Sequence, residues 1–260
     1  MRDAVAAELA LAAFWSAYAA ARYRPFRFLL RHPIRTLRAM RDVRALPVLE
    51  AAPSSSVGGR ALAATLTGRG FLRTPLAWNG PAVLDIPAEP GAYRAGRRRQ
   101  TLRRKLNAAQ RRGLTTRPVL DAAERTALLA RADLAEQNHP DATYRVERPA
   151  NHDLLDHDLW LVVEDADGDT LLLCVVPTDG AWAVLRYFRT LGSGPAHSDA
   201  RYLGTAALVD ELAARGVRWL VDTEHPGRQT NGLRHFQRMI GFRYARIRLR
   251  TTTPELASAA

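Results

Sequence analysis

The stretch "WLVVEDADGDTLLLCVVPTDGAWAVLRYFRTL", residues 160–191, decides the fold class of this chain. It contains three runs of strand-forming residues, which are joined by the pairs Asp167-Gly168 and Asp179-Gly180. An Asp-Gly pair between apolar runs is a strong hairpin signal, because tight turns require the positive φ that these residues accept. We therefore expect an antiparallel meander of three strands.

Helix-like and strand-like segments surround this meander in a defined order. Upstream, a basic helix over residues 96–113 ends at Gly113 and is followed by a strand. Asp121 then stands three residues before Glu124, a spacing typical of a capped second helix. Downstream we expect a helix over 201–216, a strand over 217–223, a helix over 231–242 and a last strand from 243. This order predicts an α/β (α+β) fold with a mixed, mostly antiparallel central sheet flanked by helices.

The first 80 residues differ from the rest in composition. An alanine-rich run over 4–21 and an arginine-rich run after it read as helices, which Pro25 and Pro33 divide. Residues 47–59 read as a loop or linker. We therefore expect a helical, basic N-terminal extension over 1–80 and an α/β domain over 81–260. Because alanine anchors poorly in lipid, we expect the first helix to pack on the core or lie on a membrane surface.

The net charge favours anionic partners. Thirty-eight Lys and Arg stand against 26 Asp and Glu, giving +12. CoA phosphates, nucleic acid and acidic membranes all fit such a field, although a codon bias towards arginine would also produce it. The single cysteine, Cys174, excludes an intramolecular disulfide and fits a buried strand, so we expect a cytoplasmic protein with membrane association as an alternative. His139, His152 and His157 match no zinc spacing, and we expect no metal.

The segment "RYLGTAAL", residues 201–208, has the form Arg-x-x-Gly-x-Ala at the expected start of a helix. The first amides of a helix lack intrahelical acceptors, and small residues there let a pyrophosphate approach the backbone. With the element order, this segment makes residues 115–252 resemble the GNAT acyltransferase superfamily. The resemblance implies an acyl-CoA donor held by Arg201, Tyr202, Leu203, Gly204, Thr205 and Ala206, with Asn231 opening the next helix.

A second copy of the pattern runs from Arg189 to Gly194 and is followed by Pro195. We favour the copy at Arg201, because we expect more loop rather than a helix after Pro195, which would aim the amides of the second copy less well. We expect "GSGP" to be a mobile loop that covers the donor.

The GNAT resemblance also implies a reaction site between two splayed parallel strands. Acyl transfer to an amine needs a base for the ammonium proton, and "VRWLVDTEHP" ends at that gap. Glu224 is the preferred base, with His225 and Asp222 as alternatives. Many family members carry a tyrosine acid in the last helix, where this chain has Phe236 and Gln237.

Two alternatives remain open. The basic helix, its closing glycine and "GLRHFQ" (232–237) also resemble the Fem-type transferases, which implies an aminoacyl-tRNA donor. The tRNA-contacting residues would then be Arg98, Arg103, Arg104, Lys105 and Arg111. The other alternative is a non-catalytic protein that binds nucleic acid or a membrane surface, with the N-terminal helices making peripheral membrane contact.

Overall fold

Helices and strands occupy most of the chain in a computed structural model that describes residues 4–21, 25–142 and 144–250. The helices within these residues are α1 (Ala4–Ala20), α2 (Pro25–Arg31), α3 (Pro33–Ala45), α4 (Val57–Thr67), α5 (Gln100–Arg111), α6 (Ala122–Gln137), α7 (Pro195–Ala214) and α8 (Asn231–Ile240). The strands are β1 (Val48–Ala51), β2 (Ala82–Asp85), β3 (Thr115–Pro118), β4 (Leu159–Glu164), β5 (Thr170–Val176), β6 (Thr178–Asp179), β7 (Trp182–Leu185), β8 (Tyr187–Thr190), β9 (Trp219–Asp222), β10 (Arg243–Tyr244) and β11 (Arg246–Leu249).

The strands form a mixed, mostly antiparallel arrangement, which confirms the predicted fold class. One sheet has the order β3-β4-β5-β8 and is antiparallel throughout. A second sheet has the order β10-β2-β9-β7-β6, in which β7 and β9 run parallel. The two Asp-Gly turns form as expected, with φ of +84° at Gly168 and +55° at Gly180.

The third strand of the predicted meander is divided between the two sheets. Its first half, β7, pairs with β9 up to the register Leu185–Asp222, whereas its second half, β8, pairs only with β5. At the break, the Arg186 amide donates to the Val184 carbonyl at 2.8 Å, which kinks the backbone. The parallel strands therefore separate beyond Leu185 and Asp222, and a gap opens between β8 and the segment that follows β9.

Helix α7 packs across the four-stranded sheet, and α5 packs against α7. The buried carboxylate of Asp199, the fifth residue of α7, accepts from Lys105 Nζ at 2.8 Å and from Arg112 Nε at 3.1 Å. Residues 97–99 form a 3₁₀ turn, so α5 begins at Gln100 rather than at residue 96. The contact between Arg112, which follows the last residue of α5, and Asp199 places the C-terminal end of α5 beside the N-terminal part of α7.

The N-terminal helices share the main hydrophobic core. Leu11, Phe14 and Trp15 of α1 belong to the same buried cluster as Leu84 of β2 and Leu220 of β9. The predicted loop over 47–59 is wrong in part, because β1 pairs in parallel with β11. Within the part of the chain that the structure describes, no helix combines the length and the apolar character that crossing a membrane requires.

Candidate functional site

Glu224 stands at the gap that the separated strands leave. Its amide donates to Asp222 Oδ1 at 2.8 Å, and its carbonyl lies 3.4 Å from Gln229 Nε2, so the loop after β9 is held in place. Burial raises the pKa of Glu224, while Arg228 and Arg189 partly offset this rise. Arg189 comes from β8, on the other side of the gap. A half-buried carboxylate of this kind suits proton transfer near neutral pH.

Asp222 lies behind Glu224 and is buried. Gln237 of α8 donates from its side-chain amide to Asp222 Oδ2. Burial, with a smaller contribution from the charge of the neighbouring Glu224, raises the pKa of Asp222 to about 7. The Asp222 carboxyl therefore positions the loop from beneath, and Gln237 occupies the region where the GNAT resemblance led us to look for a tyrosine.

His225 is held by two backbone amides. Phe71 N donates to Nε2 at 2.9 Å, and Gly227 N donates to Nδ1 at 3.0 Å. A neutral imidazole has only one acceptor nitrogen, so these two contacts compete, and a protonated ring would lose both. Burial lowers the pKa of His225 to about 4, assisted by Arg228. In either tautomer a backbone amide donates to the one acceptor nitrogen, so the ring has no free lone pair to take a proton, and we therefore correct the prediction that His225 is an alternative base.

The prediction that a helix begins at Arg201 is wrong. Helix α7 begins at Pro195, so residues 201–206 lie in its interior, where their amides bond within the helix. A Cβ added at Gly204 would lie 3.0 Å from Leu172 Cδ2 and 3.2 Å from Val163 Cγ2. Gly204 thus lets the helix approach the sheet closely, and no phosphate can reach it. Tyr202, Thr205 and Ala206 are also buried in this packing.

The second copy of the pattern, Arg189 to Gly194, is the one that connects a strand to a helix start. Gly194 is the N-cap of α7 with φ of +113°, and Pro195 is the first helical residue. Proline is favoured at that position because its missing N–H would be unpaired anyway. Within the described residues, the amides of Ala196 and His197 have no hydrogen-bond acceptor. The His197 ring lies against Gly192, so the chain's own side chain fills part of the space in front of the start of α7.

An aromatic and cationic wall borders the same gap. Phe188 of β8 stacks on Phe236 of α8 with ring centroids 6.3 Å apart. The Arg201 guanidinium lies 5.3 Å from the Phe236 ring centroid on its other side. Arg201, although misplaced as a helix start, therefore remains an exposed cation near the gap. The sequence analysis identified the copy of the motif that begins at Arg189 and set it aside because Pro195 follows it, whereas Pro195 is the first residue of α7.

The predicted basic residues of α5 differ in their roles. Lys105 is tied to Asp199, and Arg103 donates to the carbonyls of Arg94 and Gly96 at 2.9 and 2.7 Å. Arg104 and Arg111 are exposed and make no hydrogen bond or ion pair with the residues that the structure describes. The side chain of Arg98 lies outside the described residues.

A cavity of about 600 Å³ lies next to the Glu224 loop. It is lined by Gly70, Phe71, Ser16, Tyr18 and the segment 227–231. Asn231, the first residue of α8, accepts from Ser16 Oγ at 2.9 Å and from Arg234, so α1 closes one side of the cavity. Gln229 is 1% exposed, and its Oε1 has no donor among the described residues. The cavity thus offers a free acceptor to a ligand with N–H or O–H groups.

Among the residues that the structure describes, no group of three or more His, Cys, Asp or Glu is arranged to hold a metal ion. His157 is buried and lies 4.0 Å from Asp153, while His139 bonds to the backbone of Asp141.

Comparisons with known proteins give partial structural matches. No protein-family model matches the chain, and no curated protein matches its sequence. The C-terminal domain (DUF2156) of a putative lysylphosphatidylglycerol synthetase from Agrobacterium fabrum aligns at 18% identity and TM-score 0.46. L-PGS from Bacillus licheniformis aligns at 13% and 0.45, and a conserved protein of unknown function from Bacteroides thetaiotaomicron VPI-5482 at 12% and 0.43. Each alignment covers 64% of this chain, and only 57–58% of the other chain.

Proposed function

We propose that the chain is an acyltransferase that moves an aminoacyl group from aminoacyl-tRNA to an amine acceptor. The observation that carries this proposal is the position of the free cations of α5. Arg104 and Arg111 are exposed and unpaired among the described residues, and the helix that bears them ends beside the start of α7. Arg104 and Arg111 are seven positions apart, which is two turns and about 10 Å along the helix axis, so both cations lie on one face of α5 and can follow a polynucleotide backbone.

The chemistry rests on the gap. The acceptor nitrogen attacks the ester carbonyl of the donor, an N–C bond forms, and the C–O bond to the ribose breaks. Glu224 first takes one proton from the acceptor ammonium, which leaves the amine that attacks, and a second proton from the same nitrogen passes to the departing ribose oxygen as the amide forms. Desolvation brings the pKa of Glu224 closer to neutral, which favours this exchange. The exposed Arg189 and Arg201 hold the anionic donor end at the mouth of the gap.

Acyl-CoA is the second candidate donor, and the start of α7 is the observation that favours it. The free amides of Ala196 and His197, together with the helix dipole, form an anion site of the kind that binds a pyrophosphate. Two features weaken it. Pro195 supplies no amide, and the His197 ring lies against Gly192 where a phosphate would approach.

The salt dependence of donor binding tests the proposal. We expect the affinity for aminoacyl-tRNA to fall steeply with salt, and each of Arg104→Gln and Arg111→Gln to reduce the slope of log K against log[salt] by about 0.7–0.9. Arg218→Gln is the matched control, because Arg218 is exposed at the opposite end of β9. Transfer of radiolabelled amino acid should fall in the same two variants.

Two outcomes would overturn the proposal. Transfer from acyl-CoA with no transfer from charged tRNA would assign the second donor. Salt-sensitive tRNA binding without transfer to any amine would instead indicate a non-catalytic nucleic-acid-binding protein.

Contact with an anionic membrane is a further part of this proposal. Leu30, Ile34 and Leu37 are 68%, 63% and 65% exposed on α2 and α3, and arginines alternate with them. Exposed apolar side chains among cations are typical of a helix that lies on anionic lipid. Sedimentation with phosphatidylglycerol vesicles, but not with neutral vesicles, should be lost in Leu37→Glu.

A further inference from the structure

A second concave site lies away from the gap, between α1, α3 and β11. Its volume is about 480 Å³, within the range of small-ligand sites. Phe14, Trp15 and Phe71 form its inner wall, and the side chains around it are largely apolar. Phe71 also lines the cavity beside Glu224, so an aromatic partition separates the two spaces.

Two buried hydrogen-bond donors in this groove have no acceptor. Trp15 is 2% exposed, and its Nε1–H finds no partner among the described residues. The Nε–H of Arg246 is likewise buried and unpartnered, although a terminal nitrogen of the same guanidinium donates to the Arg44 carbonyl at 2.8 Å. Buried donors normally have partners, because leaving them unpaired costs free energy. Both residues line the groove, so a ligand that displaces the side chains covering these two nitrogens would supply the acceptor atoms.

The charge of the groove is positive. Arg44, Arg246 and Arg248 line it, and no carboxylate does. Of these, only Arg248 approaches an acidic side chain among the described residues, Glu50 at 3.8 Å. An anionic head group would therefore meet two guanidinium groups without a competing carboxylate.

The mouth of the groove is apolar. Met40, Val48 and Trp78 are 43%, 40% and 64% exposed, and all three line it. The exposed surface of α3 continues from Met40 to Leu37. A ligand entering here passes over apolar side chains before its acceptor atoms reach the buried donors.

We propose that this groove binds one molecule of an anionic, single-chain lipid acid. The acyl chain lies against Phe14, Phe71 and the residues of the mouth, and the carboxylate accepts hydrogen bonds from Trp15 Nε1 and Arg246 Nε. Neither the amine acceptor nor the aminoacyl end of the donor is an anionic lipid acid. The groove is therefore a site additional to the gap, and its proposed ligand does not depend on the proposed function.

The test uses the full chain and monomeric oleate, with displacement of a fluorescent C18 fatty acid as the readout. We expect oleate to bind below its aggregation concentration, and Arg246→Met to weaken it about tenfold. Arg218→Met, which removes an exposed arginine outside the groove, should leave the affinity unchanged. Oleyl alcohol, which has the chain without the charge, should bind more weakly to the wild type and be insensitive to Arg246→Met.

Trp15→Phe is the second variant, because it removes the indole N–H and keeps an aromatic ring, although the smaller ring also leaves buried volume unfilled. It should lower the thermal unfolding midpoint and weaken oleate several-fold, whereas Leu11→Ala, which also removes buried volume from α1, should lower the midpoint without weakening oleate. Absence of oleate binding, or equal effects of Arg246→Met and Arg218→Met, would overturn the proposal. Binding to phosphatidylglycerol vesicles without any binding of monomeric oleate would overturn it in favour of a membrane surface.

Discussion

At the level of single residues, two carboxylates and one imidazole that lie close together in the sequence have different environments. Asp222 is buried against Gln237, Glu224 is half-buried near Arg228 and Arg189, and His225 accepts a hydrogen bond from a backbone amide. Of these three groups, Glu224 is the one that is partly exposed and has a raised pKa. The sequence "DTEHP" showed that these residues end a strand, but the burial that separates them depends on α1, α8 and the loop at residues 70–71.

Glu224→Gln should lower kcat by about 10²–10⁴-fold, because the amide cannot take the ammonium proton. Donor affinity should be unchanged. In the wild type, activity should rise with pH through the pKa of Glu224, which burial places above the usual range of a glutamate. Steady-state kinetics across pH would check both points. Glu211→Gln, at the far end of α7, is the control, and wild-type activity in Glu224→Gln would assign the base elsewhere.

Asp222→Asn should change the pH dependence of stability. Because the folded pKa of Asp222 is about 7 against 3.8 in the unfolded chain, the folded protein binds more protons between these values. Asp222 therefore makes the wild type less stable as pH rises from about 4 to about 7. At about 1.4 kcal/mol per pKa unit, the variant should gain on the order of 2 kcal/mol relative to wild type between pH 5 and pH 8.

Urea unfolding of both proteins at the two pH values measures this difference. Subtracting the wild-type values removes the opposing effect of His225, whose lowered pKa costs stability as pH falls below 6.5. If the difference in the free energy of unfolding between the two proteins were the same at both pH values, this would contradict a raised pKa of Asp222 in the folded protein.

At the level of elements, the start of α7 shows what the sequence can and cannot predict. The two Asp-Gly turns and the helix–strand order follow from local chemistry, and they form as predicted. The helix start was misplaced by six residues because Arg189–Gly194 and Arg201–Ala206 both fit the motif. What distinguishes them is tertiary: Gly204 faces Leu172 of β5, whereas Gly194 is exposed at the N-cap.

The division of the third meander strand could not be read from its residues either. "WAVLRYFRT" is uniformly strand-forming, and the kink at Arg186 arises because β7 has β9 as a parallel partner, more than 30 residues later in the chain. The gap that contains Glu224 is thus a consequence of pairing at long range. Similarly, β1 lies in a segment rich in Pro and Ser and becomes a strand only against β11.

Gly204→Ala should destabilise the protein by about 1–3 kcal/mol, because the new methyl group would overpack α7 against the sheet. Gly232→Ala is the matched control in α8, where an added Cβ meets nothing nearer than 4.0 Å. That substitution should stabilise by about 0.5–1 kcal/mol through the higher helix propensity of alanine. Thermal unfolding distinguishes them. Unchanged or raised stability in Gly204→Ala would mean that the helix does not approach the sheet as closely as described.

At the level of the whole molecule, the N-terminal helices and the α/β region share one cluster of buried hydrophobic residues. Sequence composition suggested a division near residue 80, yet Phe14 and Trp15 of α1 contact Phe71, and Trp15 also contacts His225 beyond β9. Helix α1 further reaches α8 through the Ser16–Asn231 hydrogen bond. The same helix therefore covers the core, closes the cavity beside Glu224 and walls the groove near Arg246.

Removing residues 1–80 should consequently leave residues 81–260 without a cooperative fold. Full burial of each large side chain contributes roughly 1.5–3 kcal/mol, so losing Leu11, Phe14 and Trp15 together is comparable with the 5–15 kcal/mol margin of a typical domain. Near-ultraviolet circular dichroism and a thermal scan of the fragment would test this. A sharp transition with an intact near-ultraviolet spectrum would instead establish residues 81–260 as an independent domain.

A matched pair in the full chain tests the same dependence without truncation. Leu11 is 1% exposed and Leu9 is 60% exposed on the same helix. Leu11→Ala should cost about 2–5 kcal/mol because it leaves a cavity in the shared core, and Leu9→Ala should be close to neutral. Since Leu11 shares its buried cluster with β2 and β9, this loss should appear in one cooperative transition of the entire protein. Two separate transitions, of which only one shifts, would show that α1 is stabilised independently of the sheet.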